Sequence, residues 1–366
     1  MSGALDGIRV VELAGIGPGP HTAMMLADMG ADVVRVDRPR SQAQRERDAK
    51  DYILRGRAIV TADLKQADDR DRILELIDHA DVVLEGFRPG VTERLGLGPD
   101  VCIARNPSLV YTRITGWGQQ GPWSQLAGHD INYISITGAL HAIGTAGAPV
   151  NPVNFVGDYG GGSMFALSGT LAALVERQRS GRGQVVDAAI VDGTAILTQI
   201  LWSQRRFGEW VDRRESNFLD GGAPYYRTYK CADDRFIAVG ALEDKFYSMF
   251  LTGLGIDNES ALDRSDHENW PALTALFADK IASRSRNHWC EVFGGTDACV
   301  TPVLRLDEVS GHTHIAGRNI VVQENDGKAH ASAAPRFGRS QASPTEMPVS
   351  RSLDFVVDKW SSKKPS

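Results

Sequence analysis

Cysteine and long apolar runs are both scarce in this sequence of 366 residues. The four cysteines, Cys102, Cys231, Cys290 and Cys299, form no CxxC or CxxH pair. Such scattered cysteines exclude a disulfide scaffold and give no metal-ligand spacing, so we expect a reducing, cytoplasmic setting and no metal site. No apolar stretch reaches the roughly 20 residues of a membrane helix, and no basic segment with an apolar run opens the chain. We therefore expect neither a membrane association nor a signal peptide.

Positive charge is also limited. The chain has 40 Lys and Arg residues against 46 Asp and Glu residues, which gives a formal net charge of -6. This balance makes a nucleic-acid partner unexpected. What remains is an ordinary globular composition, 42% hydrophobic and 23% charged, in a chain long enough for two domains.

Short segments rich in Val and Ile, separated by helical patterns, make up the first half of the chain. Strands are predicted over residues 8–13, 32–37, 58–62, 81–85 and 109–113. The apolar spacing of 69–80 predicts a helix between two of them. This alternation favours an α/β fold, with a parallel sheet covered by helices on both faces. A ligand of such a sheet is expected at the carboxyl ends of its strands.

The second half has a different pattern. Helices are predicted over 129–141, 159–179 and 192–207, and a strand over 184–190. A β-hairpin over 225–241 and helices near 245–254, 270–283 and 287–293 follow a polar, irregular stretch. We predict a large domain (1–207), a linker (208–223), a smaller α+β domain (224–324) and a C-terminal segment (325–366) that returns to the large domain.

A glycine-rich turn, Gly15 to Pro20, follows the first predicted strand and opens a helix. It suggests dinucleotide binding, but the third glycine of the G-x-G-x-x-G pattern is replaced by Pro20. No acidic residue ends the second strand as that motif requires, because Arg38 directly follows Asp37. A tight turn that lets the helix pack on the sheet explains the segment at least as well.

Six cationic residues lie at or near predicted strand ends in the first half. Each one alone fits a solvated surface charge, but together at one edge they would suit a ligand with a phosphate and a diphosphate. They are Arg38, Arg55, Arg57, Lys65, Arg88 and Arg94.

Three acid–base residues stand at predicted helix starts. His129, followed by Asp130, fits either a half-buried His beside a capping Asp or a base where backbone N–H groups hold an oxyanion. Asp158 precedes three glycines and fits either a capping acid or a group open to a ligand. Glu243 ends the predicted hairpin, where a helix-capping acid is common.

Several segments taken together resemble the family III CoA-transferases, the CaiB/BaiF-like proteins, and among these the α-methylacyl-CoA racemase branch. The resemblance runs along nearly the whole chain, and its specificity comes from the joint occurrence of the motifs. They are LEGFRPGVTERLGLG (84–98), TGWGQQGP (115–122), GHDINY (128–133), GD (157–158) and GQVVDAAIVD (183–192).

The resemblance implies a large Rossmann-like domain, a smaller α+β domain and an interlocked homodimer. It implies an acyl-CoA substrate and no metal or organic redox cofactor. It implies His129 and Asp158 as the catalytic pair, with Glu243 entering the site from the partner chain and Asp192 nearby. The implied CoA contacts are Arg38, Ala62, Asp63, Leu64, Lys65, Gly86, Phe87, Arg88, Arg94, Gly128, Asp130, Ile131, Asn132 and Tyr133.

The racemase branch implies a cytoplasmic isomerase that moves the α-proton of a 2-methylacyl-CoA between the two faces of an enolate. The transferases of the family use an Asp nucleophile at the position of Asp130, so CoA transfer between carboxylic acids stays open. His129, and the sequence Ala241-Leu242-Glu243 in place of a glycine run, resemble the racemases. A CoA-binding protein without catalysis is a third possibility, against which His129, Asp158 and Glu243 together argue.

Overall fold

The structure is a computed structural model in which residues 3–258, 261–324, 327–340 and 346–362 are described. The chain forms two compact units. The first combines Met1–Ala139, Pro152–Gln199 and His330–Ser366, and the second combines Leu140–Asn151 and Ile200–Ala329. The central part of the first unit thus ends at Gln199, before the predicted boundary at 207, and 208–223 falls within the second unit.

The described residues contain these β-strands, in chain order: β1 (Arg9–Leu13), β2 (Asp32–Asp37), β3 (Arg57–Thr61), β4 (Val82–Glu85), β5 (Val110–Thr115), β6 (Val185–Ala189), β7 (Tyr226–Lys230), β8 (Phe236–Gly240), β9 (Val300–Pro302), β10 (Val321–Gln323), β11 (Ala329–Ala331) and β12 (Val349–Ser350).

The same part of the chain contains these α-helices: α1 (Pro18–Asp28), α2 (Gln42–Asp48), α3 (Ala67–Asp78), α4 (Val91–Arg94), α5 (Pro99–Arg105), α6 (Asp130–Ile136), α7 (Ala139–Ala142), α8 (Met164–Ser180), α9 (Ile190–Leu197), α10 (Gln199–Phe207), α11 (Asp244–Leu254), α12 (Trp270–Ala282), α13 (Arg286–Phe293), α14 (Leu306–Val309), α15 (Thr313–Gly317) and α16 (Leu353–Ser362). No helix among the described residues has the length and apolar character needed to cross a membrane.

The first unit is built on a parallel sheet with the strand order β12-β3-β2-β1-β4-β5-β6. All of its strand pairs are parallel, as the Val- and Ile-rich segments predicted. From β1 the strand order runs through β2 and β3 to β12 on one side. On the other side it runs through β4 and β5 to β6. Adjacent strands β1 and β4 therefore mark the switch point, where an open α/β sheet binds its ligand.

Helices cover both faces of this sheet because successive residues of a strand point to opposite sides. Val10 packs with apolar residues of α1 and α8, including Leu26 and Leu174. Its neighbour Val11 packs on the other face with α3 and α16. Trp360 of α16 is 1% exposed, which shows that the C-terminal helix completes this core. Full burial of each large side chain contributes about 1.5–3 kcal/mol.

Two arginines of the predicted cationic group are structural. Arg57 lies in β3, and its Nε is 3.0 Å from Oε2 of Glu12. Arg55 pairs with Asp28 of α1 at 2.5 Å. Both guanidiniums are buried against these carboxylates, because an unpaired charge there would be strongly destabilising. Neither guanidinium is therefore available to a phosphorylated ligand, which corrects their placement among the ligand-binding cations.

Three predicted helices are interrupted. The predicted helix over 129–141 is split into α6 and α7 by Gly138, whose φ of 82° does not fit a right-handed helix. The helix over 192–207 is divided into α9 and α10 at Thr198, which caps α9. In place of one helix over 159–179, a π-helix (Phe155–Ser163) precedes α8.

The second unit contains the antiparallel sheet β7-β8-β9. The predicted hairpin is confirmed by the pairing of β7 with β8. Phe250, Phe277 and Phe293 of helices α11 to α13 pack in its core. The polar stretch before β7 has no helix or strand, yet Asn217 is 2% exposed and donates from Nδ2 to the carbonyl oxygen of Val211 at 3.0 Å. This stretch is fixed by its own polar contacts.

Candidate active site

The first unit has a cavity of about 510 Å³ at the switch point of its sheet. We call it the switch-point cleft. Its floor includes the ends of β1 and β4, and its walls come from residues 15–19, 86–89, 116–117 and 126–129 together with Tyr133, Asn154 and Asp158. All of these segments follow strands of the sheet or open the helices behind them. The cleft therefore lies where the strand order predicted a ligand.

Asp158 reaches the cleft from the first turn of the π-helix. Its backbone N–H donates to Oδ1 of Asp130 at 2.6 Å, and Asn154 Nδ2 donates to its Oδ2 at 3.3 Å. Burial raises the pKa of the Asp158 carboxyl, and the charge of Asp130 adds to this, while Asn154 and His129 oppose it. A carboxyl with this bias holds a proton at higher pH than an ordinary aspartate, as an acid–base group needs.

The loop after β1 packs directly against this carboxyl. Gly17 has a φ of 67°, and a β-carbon built there would stand 3.1 Å from Oδ2 of Asp158. The glycine-rich turn is thus required by a close approach to an acidic side chain, in addition to opening α1 at Pro18. The sequence left this turn open between dinucleotide binding and helix packing, and it gave no signal of the contact with Asp158.

His129 also lines the cleft. It is the N-cap of α6, as predicted, and its side chain is exposed. Its backbone N–H donates to Oδ1 of Asn132 at 3.1 Å, which fixes the residue at the start of the helix. The Asn132 amide donates to the carbonyl oxygen of His129 at 2.8 Å, whereas the amides of Asp130 and Ile131, at the start of the helix, have no partner within it.

Asp130 differs from its neighbour, because it is 7% exposed and does not line the cleft. Its Oδ1 accepts the Asp158 amide, and its Oδ2 has no hydrogen-bond partner within the described residues. Gly157 passes so close to this carboxyl that a β-carbon there would overlap it. Asp130 thus supports the backbone beneath Asp158.

Tyr133 closes the cleft beside these groups. Its hydroxyl donates to the carbonyl oxygen of Gly128, and its ring meets that of Trp117 edge-on with centroids 4.7 Å apart. Burial and the charge of Asp158 raise the pKa of the Tyr133 phenol. The pair of aromatic rings holds the turn before His129. Trp117 was not among the predicted site residues, although it lies in the TGWGQQGP motif.

The loop after β4 supplies a cation to the cleft. Glu85 accepts the Phe87 N–H at 2.7 Å and pairs with Arg113 at 2.7 Å, which anchors the loop from below. Gly86 and Arg88 at the loop surface are exposed and line the cleft. Within the described ranges Arg88 forms no ion pair, so its guanidinium is open to an anion.

The other predicted CoA contacts lie outside the cleft. Arg38 and Lys65 are exposed after β2 and β3, and Arg94 is exposed at the end of α4. Ala62 is 2% exposed, Leu64 packs against the core, and Asp63 accepts the Lys65 amide at 3.1 Å. The structure brings these residues to the same edge of the sheet without placing them in the cleft. Ile131, Asn132 and Asp192 are exposed and do not line it either.

Glu243 belongs to the second unit. It is the exposed N-cap of α11, three residues after the end of β8, which fits the capping role considered from the sequence. Its carbonyl oxygen accepts the amides of Phe246 and Tyr247 at 3.0 and 2.9 Å. Its entry into the site of a partner chain stays a prediction.

The fold and cleft define a doubly wound α/β protein whose cleft at the sheet's switch point is lined by His129 and Asp158. Comparison with known proteins identifies the family: the model for "CoA-transferase family III" matches residues 5–350, and the chain belongs to this family. The predicted resemblance is thus confirmed.

Relatives and a solved structure agree with this assignment. The alpha-methylacyl-CoA racemase of Mus musculus is 44% identical over 342 residues, covering 93% of this chain and 88% of the relative. The human racemase is 43% identical over 343 residues, with the same coverage. A crystal structure of a CAIB/BAIF family protein from Brucella suis matches with a TM-score of 0.82 at 25% identity, covering 99% of both chains.

Proposed function

We propose that this chain is an isomerase that interconverts (R)- and (S)-2-methylacyl-CoA thioesters by 1,1-proton transfer. The observation that carries the proposal is that His129 and Asp158 line the same cleft, and that burial raises the pKa of the Asp158 carboxyl. The racemase names of two relatives at 44% and 43% identity support the same substrate class.

The reaction requires an acid–base group on each face of a planar intermediate. One group takes the proton from Cα, and the electron pair of the broken C–H bond passes into the thioester to form an enolate. The other group then returns a proton to the opposite face of Cα. For the reverse direction His129 and Asp158 exchange roles, and each contributes typically 10²–10⁴-fold to the rate.

The enolate oxygen carries the developing negative charge. The amide of Asp130, in the first turn of α6, is a donor with no partner within the helix. A donor aimed at such an oxygen contributes roughly 3 kcal/mol. No oxidation state changes in this reaction, so the proposal requires no redox cofactor, and acyl-CoA is the substrate.

We assign Arg88 to the phosphorylated part of CoA, because it is the open cation of the cleft. Arg88→Ala is expected to raise the KM for acyl-CoA by roughly tenfold or more, since a charge-assisted hydrogen bond contributes about 1.5–3 kcal/mol. The kcat should stay close to that of the wild type, because the guanidinium does not touch Cα. Steady-state kinetics on acyl-CoA measure both constants. Arg179→Ala, on the exposed end of α8, is the matched control. A drop in kcat at unchanged KM would contradict the assignment.

We also propose that the active form is a homodimer in which Glu243 of the partner subunit completes the site. Large apolar side chains at the surface of the first unit support a covered face, among them Phe155 (63% exposed) and Ile196 (59%). Light scattering on the purified protein should give twice the chain mass of 39.7 kDa. A monomer with full activity would contradict this proposal.

CoA transfer with Asp130 as nucleophile is the alternative that the family name keeps open. The burial of Asp130 beneath the amide of Asp158 argues against it, because a nucleophile must reach the thioester carbonyl.

The deciding experiment uses (R)-2-methylacyl-CoA with and without a second carboxylic acid. The proposal predicts the S epimer in both cases, at equal rates, and no acyl transfer. Turnover that depends on the second acid and is lost in Asp130→Asn would establish the transferase instead.

A further inference from the structure

The π-helix that carries Asp158 is held at two points by one side chain of α1. The Nδ1 atom of His21 lies 2.6 Å from Oγ of Ser163, the last residue of the π-helix. The imidazole also stacks on the ring of Tyr159, with centroids 4.3 Å apart and planes 19° apart. His21 therefore touches the residue next to Asp158 and the residue that ends the same π-helix.

The direction of the hydrogen bond follows from the neighbouring hydroxyl groups. Ser163 is fully buried, and its Oγ is 3.1 Å from Oγ1 of Thr22. The Thr22 hydroxyl donates to the carbonyl oxygen of Pro18 at 2.8 Å and also to this Oγ, so the Ser163 oxygen accepts from Thr22 and its own proton is left for another acceptor. We therefore assign the Ser163 proton to Nδ1 of His21, which leaves the ring proton on Nε2.

The surroundings of His21 favour this neutral ring. Burial lowers its pKa, and the charges of Arg55 and Arg57 lower it further, while Asp28 opposes them. An uncharged imidazole keeps Nδ1 available as an acceptor, whereas a protonated ring would donate from both nitrogens. The arginine pairs on this side of the sheet thus support the hydrogen bond to Ser163.

The π-helix needs such support because its own sequence stabilises it weakly. A π-turn is a rare conformation that is found mostly at functional sites. Three consecutive glycines, 160 to 162, follow Tyr159, and each costs roughly 0.5–1 kcal/mol in a helix. These glycines permit close packing, since a β-carbon at Gly162 would stand 3.1 Å from Cβ of Pro18.

We propose that His21 is a positioning residue that sets the Asp158 carboxyl through its contacts with Ser163 and Tyr159. This inference rests on the proposed function. It implies that helix α1 supports proton transfer only on the face of the enolate that Asp158 serves. Gly17 packs on the carboxyl, and His21 and Thr22 hold the π-helix behind it, so a single helix and its preceding loop fix both sides of Asp158.

The inference predicts an effect on one face of the enolate. His129 lies on another element and makes none of these contacts, so its own proton exchange should continue when His21 is changed. Loss of His21 should therefore affect the same epimer that Asp158→Asn affects, and should leave α-proton exchange of the other epimer close to the wild-type rate.

The test compares His21→Phe, which keeps a ring on Tyr159 but removes the acceptor, with Ser163→Ala, which removes the donor. Both variants are expected to lower kcat by roughly 10- to 100-fold, because a small displacement of a catalytic group is costly, with KM within about twofold of the wild type. His21→Asn, whose amide oxygen approximates Nδ1, should restore part of the rate. His79→Phe, at an exposed histidine of the same unit, is the matched control.

Deuterium exchange into each epimer, followed by NMR in heavy water, distinguishes the outcomes. Loss of exchange confined to the epimer affected in Asp158→Asn supports the positioning role. Equal loss for both epimers with a lowered Tm would show a merely structural role and overturn it, as would wild-type kinetics in both variants. Wild-type protein that exchanges neither epimer would instead overturn the proposed function, and this inference with it.

Discussion

His129→Gln is expected to stop interconversion of the two epimers, lowering kcat by at least about 10²-fold. The imidazole removes the α-proton of one epimer and, in the reverse direction, supplies the proton that forms this same epimer from the enolate, so its loss blocks inversion in both directions. Exchange with solvent should survive only for the epimer whose proton Asp158 removes, because that carboxyl can return a solvent proton to the same face. Chiral analysis and NMR in heavy water measure inversion and exchange separately.

Two observations would contradict this expectation for His129. One is inversion at the wild-type rate in His129→Gln, and the other is an equal loss of exchange for both epimers. His79→Gln serves as the control, because His79 is an exposed histidine at the end of α3 and does not line the switch-point cleft.

Asp158→Asn is expected to lower kcat by a similar factor and to leave exchange only for the opposite epimer. The amide keeps the size of the carboxyl and can still bond to Asn154, so the change removes the titrating group with little loss of packing. Paired exchange measurements on both epimers check this. Asp71→Asn, at an exposed residue of α3, is the control. Loss of exchange for the same epimer in both His129→Gln and Asp158→Asn would contradict the assignment of the two groups to separate faces of the enolate.

The pH dependence follows from the same carboxyl. Either direction of the reaction requires one proton shared between His129 and Asp158. As pH falls through the pKa of Asp158, the pair gains a second proton and loses its base, so kcat/KM falls. Burial raises this pKa, so the acidic limb should lie above the ordinary aspartate value of about 4 and belong to the pair. Asp158→Asn should abolish that limb in the residual exchange rate.

The parallel sheet could be predicted from the sequence because its strands are apolar runs with buried faces on both sides. The segment 32–37 was predicted with the same bounds that β2 has in the structure. The start of α6 at Asp130 was also predictable, because a polar N-cap residue and an acid at the first position are local signals.

The π-helix could not be predicted from the same signals. Hydrophobic periodicity detects 3.6 residues per turn, and the segment 155–163 contains four glycines that give no such periodicity. What specifies this conformation is tertiary packing. Gly161 lies against the backbone of Thr194 in α9, and His21 holds Ser163 from α1. The geometry of Asp158 was therefore outside the reach of sequence patterns.

The two structural arginines show a second limit. On sequence alone Arg57 resembles Arg88, since both lie near strand ends. A signal was present, however, in Glu12 within an apolar strand, because a carboxylate buried there needs a cation. Arg35 lies opposite Glu12 in the register of β1 and β2, and both it and Arg57 form ion pairs with that carboxylate. A structural cation can be distinguished from a ligand-binding one by its partner on a neighbouring strand. That partner can be identified only when the register of the strands is known.

Deuterium at Cα of the product epimer, measured at low conversion in heavy water, tests the two-face mechanism most directly. Starting from protonated (R)-2-methylacyl-CoA, the account predicts that essentially every S molecule formed carries deuterium, because its proton comes from a second group equilibrated with solvent. S epimer that retains the original proton would show one group serving both faces and would contradict the roles given to His129 and Asp158.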